Sequence, residues 1–188
     1  FAELLNQRLQ QKNKADIIDL HNKASEWFKN NSMPLLAIEH TIETKDFKKS
    51  IQLLGEIVET MWKNGQHAAI LKYGDLLPDE LIKKNADFSL YYAWILIIAG
   101  QNQKAEPFLA CAEIITKNII NDKNSSKEDV RYNKQLLGKI SVAFAYLYSK
   151  TADPEKTFSY CKAAMRDFSD DDPFWYSWGW YSIGWAEE

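Results

Sequence analysis

Leu90-Tyr91-Tyr92-Ala93-Trp94-Ile95-Leu96-Ile97-Ile98-Ala99-Gly100-Gln101-Asn102-Gln103-Lys104-Ala105-Glu106-Pro107-Phe108-Leu109-Ala110-Cys111-Ala112 decides the fold. Before Gly100, Leu90, Ala93, Trp94 and Ile97 recur at helical spacing, and after it Ala105, Phe108, Leu109 and Ala112 do the same. A glycine between two amphipathic stretches ends one helix and lets the chain reverse into the next, so this segment predicts an antiparallel helical hairpin. Ala93, Ala105 and Ala112 are small enough for close helix approach, and Leu96 and Leu109 fill the space between. Replacing Ala105 with Leu is therefore expected to cost about 1–3 kcal/mol through overpacking, read as a lowered melting midpoint.

The same unit recurs on either side. Asn64-Gly65-Gln66 lies 35 residues upstream of Gly100, with Val58 and Met61 before it and Ile70, Leu71 and Leu77 after it. A further turn centres on Ser32, 33 residues upstream of Gly65, between Ala24, Trp27 and Phe28 on one side and Ala37 and Ile38 on the other. A later one centres on Ala152-Asp153-Pro154, with Ala145 and Tyr148 before and Phe158, Cys161 and Ala164 after. A period near 34 residues is that of tetratricopeptide repeats. The extra length before the last copy includes the polar run at 121–129, which reads as an exposed loop. The expected fold is all-α, a right-handed superhelical stack of antiparallel hairpins over residues 1–188, with hairpins at about 15–45, 48–80, 86–119 and 131–168. Residues 173–188 read as the first helix of a truncated further repeat.

Composition excludes several functions. With 46% hydrophobic and 26% charged residues, the 188-residue chain can bury a core, and its apolar runs stop well short of a bilayer span. No signal-peptide pattern opens it, so a cytoplasmic location is expected. A net charge of −3 leaves no basic field for nucleic acid. Cys111 and Cys161 lack CxxC spacing and read as reduced, packed thiols. His21, His40 and His67 fall in separate helical stretches without HExxH spacing, so no metal site is expected. His21 and His40 are expected to face between helices, and His67 to begin one. Asp170-Asp171-Asp172-Pro173 lacks the alternating ligands of a calcium loop and reads as a helix start, with Asp172 as cap. With no nucleophile and base paired by motif, the chain is expected to be non-catalytic and without cofactor.

One segment exceeds what a repeat needs. Phe174, Trp175, Tyr176, Trp178, Trp180, Tyr181 and Trp185 crowd twelve positions. Read as a helix, Trp180, Ile183 and Gly184 take inward packing positions, and Phe174, Trp178, Tyr181 and Trp185 form a second stripe. The repeat register puts Trp62, Trp94 and Tyr146 on the same concave surface. These seven residues are the candidate ligand or partner groove, since flat aromatic surfaces give large contact area at low entropy cost. Further repeats that bury the stripe are the alternative.

Leu20-His21-Asn22-Lys23-Ala24-Ser25-Glu26-Trp27-Phe28, followed by Ala37-Ile38-Glu39-His40 and Asp46-Phe47, resembles the MalT-like, ATP-dependent LuxR-family transcriptional regulators. Residues 1–9 look like the close of that family's winged-helix module, with its end at about residue 14, and Tyr92-Ala93-Trp94-Ile95-Leu96 with Ala99-Gly100 looks like its following hairpin. Ser32 departs from the turn glycine expected in the first unit. The resemblance implies the start of a sensor region in a multidomain regulator, an excised piece of something longer. It implies a small-molecule inducer, with a sugar as one option, or a protein or peptide partner, and a parent that oligomerises. ATP and DNA binding would belong to other parts: Gly138-Lys139 is followed by Ile140, and no phosphate loop is present. The alternative is a stand-alone tetratricopeptide scaffold that clasps a partner peptide.

Overall fold

The computed structural model describes residues 14–151, 153–167 and 173–186. The expected winged-helix remnant at 1–14 is therefore outside the description apart from Lys14, as are Ala152 and the Asp170-Asp171-Asp172 cap. The described residues are helical without strands. In chain order the helices are α1 (Lys14–Asn30), α2 (Pro34–Glu43), α3 (Phe47–Lys63), α4 (His67–Leu76), α5 (Asp79–Ile82), α6 (Ala86–Ile98), α7 (Asn102–Asn121), α8 (Lys127–Lys150), α9 (Pro154–Asp167) and α10 (Pro173–Ala186). They group into two compact units, Phe1–Ile57 and Val58–Glu188.

Each helix end has a chemical cause. Ser32, Lys45, Gly65 and Gly100 adopt φ of 57°, 60°, 71° and 76°. At all four, the next N–H donates five residues back and the residue's own N–H three back, as in Gln101 to Leu96 and Gly100 to Ile97 at 2.8 and 2.9 Å. This satisfies two carbonyls that the helix would otherwise leave open. Glycine takes that backbone freely, whereas Ser32 and Lys45 carry a side chain there at a cost of about 1–2 kcal/mol. Ser32→Gly is accordingly expected to stabilise the chain by up to about 1 kcal/mol, measured by urea denaturation. Some helix starts are capped by side chains: Asn85 Oδ1 accepts from Phe88 N–H at 2.9 Å at the start of α6, and Asp46 and Asp153 cap α3 and α9 in the same way.

The polar run at 121–129 is shorter as a loop than its composition suggests. Asn121 still belongs to α7, and α8 begins at Lys127. Ser126 Oγ accepts from Asp129 N–H at 3.0 Å and donates to Asp129 Oδ2 at 2.7 Å, drawing three polar residues into the first helical turn.

In the first unit α1 packs on α2. Ala37, Ile38, Ile51, Leu53 and Leu54 are buried there, and the hydroxyls of Thr41 and Ser50 bond at 2.8 Å. Trp27 stands largely exposed, edge-on to Phe28. His21 and His40 meet Nδ1 to Nδ1 at 2.8 Å, and His40 stacks on Phe28. Burial, then the neighbouring His21, holds the His40 imidazole below its ordinary value, against the opposing pull of Glu39 and Glu43. The unfolded chain thus binds a proton more readily than the folded one, so stability is expected to fall as pH drops through about 6.5. Denaturation at about pH 8 and about pH 5.5 checks this, with the difference reduced in His40→Gln.

In the second unit α6 is the central helix: Ala86 and residues 88–97 are all buried. A helix apolar on every side belongs in a core, which accounts for the strongest apolar run in the sequence. It packs against α4, α5, α7 and α8, while α8 and α9 both pack on α10. Ala93 and Leu96 of α6 and Ala105, Leu109 and Ala112 of α7 are wholly buried, and the two helices pack on each other. No helix among the described residues is long and apolar enough to cross a membrane.

Candidate functional site

Within the second unit, the end of α3 and the helices α6, α8 and α10 bring aromatic side chains to one place. Trp62 comes from the last turn of α3, Tyr91 and Trp94 from α6, Tyr146 from α8, and Phe174, Trp175, Trp178 and Tyr181 from α10. Trp94 is the hub and has no exposed surface. Its ring lies 5.0 Å from Trp175, 5.3 Å from Trp178, 5.4 Å from Tyr146, 6.3 Å from Phe174 and 6.4 Å from Trp62. Most of these contacts are edge-to-face, the geometry aromatic quadrupoles favour. Tyr146 continues the cluster to Trp178 and Tyr181 at 4.8 and 6.4 Å. Among the described residues no hydrogen-bond acceptor faces the buried Trp94 Nε1.

Six of the seven residues proposed from sequence, Trp62, Trp94, Tyr146, Phe174, Trp178 and Tyr181, thus share one cluster. The side chain of the seventh, Trp185, is outside the described ones, as is that of Ile183. The arrangement is not an open groove: α10 lies over Trp94, and Trp62 is only 9% exposed. The inward assignment of Trp180 and Gly184 is corrected, because both are exposed, Trp180 by 54%. Trp175, Gly179 and Ser182 face inward instead, at helical intervals of four and three. Gly179 packs beside Met165 and Val142, and its carbonyl accepts from the Cys161 thiol at 3.7 Å. Burial pushes that thiol up to about 11, which leaves it unreactive.

Beside the cluster opens a cavity of about 360 Å³ lined by Trp62, Lys63, Gly65, His67, Tyr91, Phe174 and Trp175. Sequence reasoning missed Tyr91 and Trp175, which look like ordinary core residues, and Lys63 and His67, which look like solvated helix ends. The one available signal was His67 directly after the turn at Gly65; its ring stacks on Trp62 at 4.3 Å.

Polar side chains tie α3, α6 and α8 together. Glu59 Oε1 accepts from Lys63 at 2.8 Å and from the nearly buried Lys139 at 2.9 Å. Burial acts to raise the Glu59 carboxyl, but the two ammonium groups outweigh it and hold the carboxyl low. Tyr132 donates to Asp87, whose carboxyl is pushed up chiefly by burial. Among the described residues no group of three or more His, Cys, Asp and Glu side chains is placed to hold a metal ion.

Over 152 residues the chain is similar to the serine/threonine-protein kinase PknK of Mycobacterium tuberculosis and of Mycobacterium bovis, at 22% identity. The match takes in 77% of this chain and 13% of the relative, so the chain spans about an eighth of those proteins. No family model matches it. No solved structure matches it significantly. The 188 residues contain neither the His-Arg-Asp nor the Asp-Phe-Gly tripeptide of kinase catalytic sites.

Proposed function

We propose that this chain is the non-catalytic sensor and interaction segment of a MalT-like regulator, a tetratricopeptide-like superhelical stack that binds a ligand or protein partner and relays its presence to ATPase and DNA-binding domains elsewhere in the parent. The carrying observation is the convergence of aromatic side chains from four helices around Trp94, with a cavity beside them. Such a concave apolar site with a few polar groups at its edge is how proteins hold small molecules. The similarity to a small part of a much longer kinase supports a segment that serves a larger signalling protein. On this reading the segment works in the cytoplasm, uses no cofactor and leaves nucleic acid to other domains.

The test is a metabolite screen on the 188-residue chain by thermal shift, repeated with Phe174→Ala, a residue 40% exposed at the cavity edge. A ligand should raise the midpoint by about 2 °C or more and lose that effect in the variant. A screen in which no compound acts, or in which the variant responds equally, contradicts the reading. A second reading, a scaffold for a partner's peptide helix, draws on α10, which lays an aromatic helical face over Trp62 and Trp94.

A further inference from the structure

The cavity beside Trp62 has a composition that narrows what it can hold. Trp62, Tyr91 and Trp175 are buried and form its floor, and Lys63, Gly65, His67 and Phe174 are exposed and form its rim. The walls stand steeply to one another: Phe174 meets Trp175 at 87° and Trp62 at 68°, and Tyr91 meets Trp175 at 66°. A flat ring among them finds both faces and edges to pack against. At about 360 Å³ the space is at the small end of ligand pockets, of a size for a fused pair of rings with a short side chain.

The polar lining is one-sided. Among the described residues its two ionisable rim groups, Lys63 and His67, are basic, and no carboxylate or carboxamide side chain lines the cavity. A hydroxyl-rich ligand such as a sugar needs paired donors and acceptors of that kind, since each hydroxyl buried without them costs free energy. An anionic group suits the rim instead. Lys63 bonds to Glu59, yet Glu59 also holds Lys139 at 2.9 Å, so Lys63 can turn to a ligand without leaving that carboxylate unpaired.

We infer that this cavity binds a small planar aromatic acid, its ring among Trp62, Tyr91, Phe174 and Trp175 and its carboxylate toward Lys63 and His67. The inference rests on the ligand-binding reading above and names the chemical class of the ligand. No proton or electron transfer is involved.

Calorimetric titration of the full chain near neutral pH tests it with three probes: indole-3-propionate, its neutral amide, and maltotriose. Indole-3-propionate is expected to bind. The amide, and the acid on Lys63→Met, should each bind about five-fold more weakly, the scale of one exposed ion pair. Phe174→Ala, with helicity verified by circular dichroism, should abolish binding. Equal affinity for acid and amide, or an unchanged affinity in Lys63→Met, overturns the assignment of an acid. Maltotriose binding lost in Phe174→Ala overturns the aromatic-acid class while sustaining the site as a ligand site. If none of the probes binds, this inference fails, and the metabolite screen decides separately whether the broader reading fails with it.

Discussion

Trp94→Ala should destabilise the second unit by about 3–5 kcal/mol, the usual range for deleting a wholly buried large aromatic. The ring contacts side chains from α3, α8 and α10, so its loss opens a cavity where none of those helices can close in without leaving its other neighbours. Urea denaturation followed by circular dichroism reads the change, with Trp94→Phe expected to cost less than half as much. A loss below about 1 kcal/mol for Trp94→Ala would mean that the cluster does not hold α10 in place.

Gly74→Ala is expected to be nearly as damaging, against the sign that helix propensity alone predicts. Alanine in a helix interior is favoured over glycine by about 1 kcal/mol. At Gly74, however, an added Cβ would lie 2.1 Å from Tyr92 Cε2 and 2.3 Å from Cδ2. Tyr92 cannot swing aside, because its ring is wholly buried and its hydroxyl donates to Asp75 Oδ1 at 2.9 Å. The same oxygen accepts from Lys104 at 2.9 Å, which ties α4 to both helices of the α6–α7 pair. Helix α4 must therefore lift from α6, at a net cost of about 3 kcal/mol, the upper end for overpacking. In a Tyr92→Ala background the same substitution should be neutral or stabilising. A destabilisation that persists there would place the strain elsewhere.

What the sequence made legible divides along physical lines. Helices and several of their ends followed from apolar spacing and from Gly65 and Gly100, because a turn that needs left-handed backbone leaves glycine as a visible mark. The turn at Lys45 left no such mark, since there the hydrogen-bonding pattern overrides the preference of the residue. The loop at 121–129 was overestimated because polar composition was read as irregular structure, although Ser126 and Asp129 spell a helix cap. For α10, aromatic residues occur on every face, so periodicity could not select the inward one. The inward face is instead the one that carries Trp175, Gly179 and Ser182, with the Gly179 carbonyl against the Cys161 thiol. The gathering of Trp62, Trp94 and Tyr146 with α10 was legible as a shared register. The cavity was not, because Tyr91 and Trp175 acquire their role from what stands beside them.

Hydrogen–deuterium exchange of the 188-residue chain with and without indole-3-propionate reads whether the aromatic cluster and its cavity form a binding site. With the ligand bound, exchange should slow in α10 and in the last turn of α3 and stay unchanged in α1 and α2. Unaltered exchange in α10, or protection confined to α1 and α2, would contradict it.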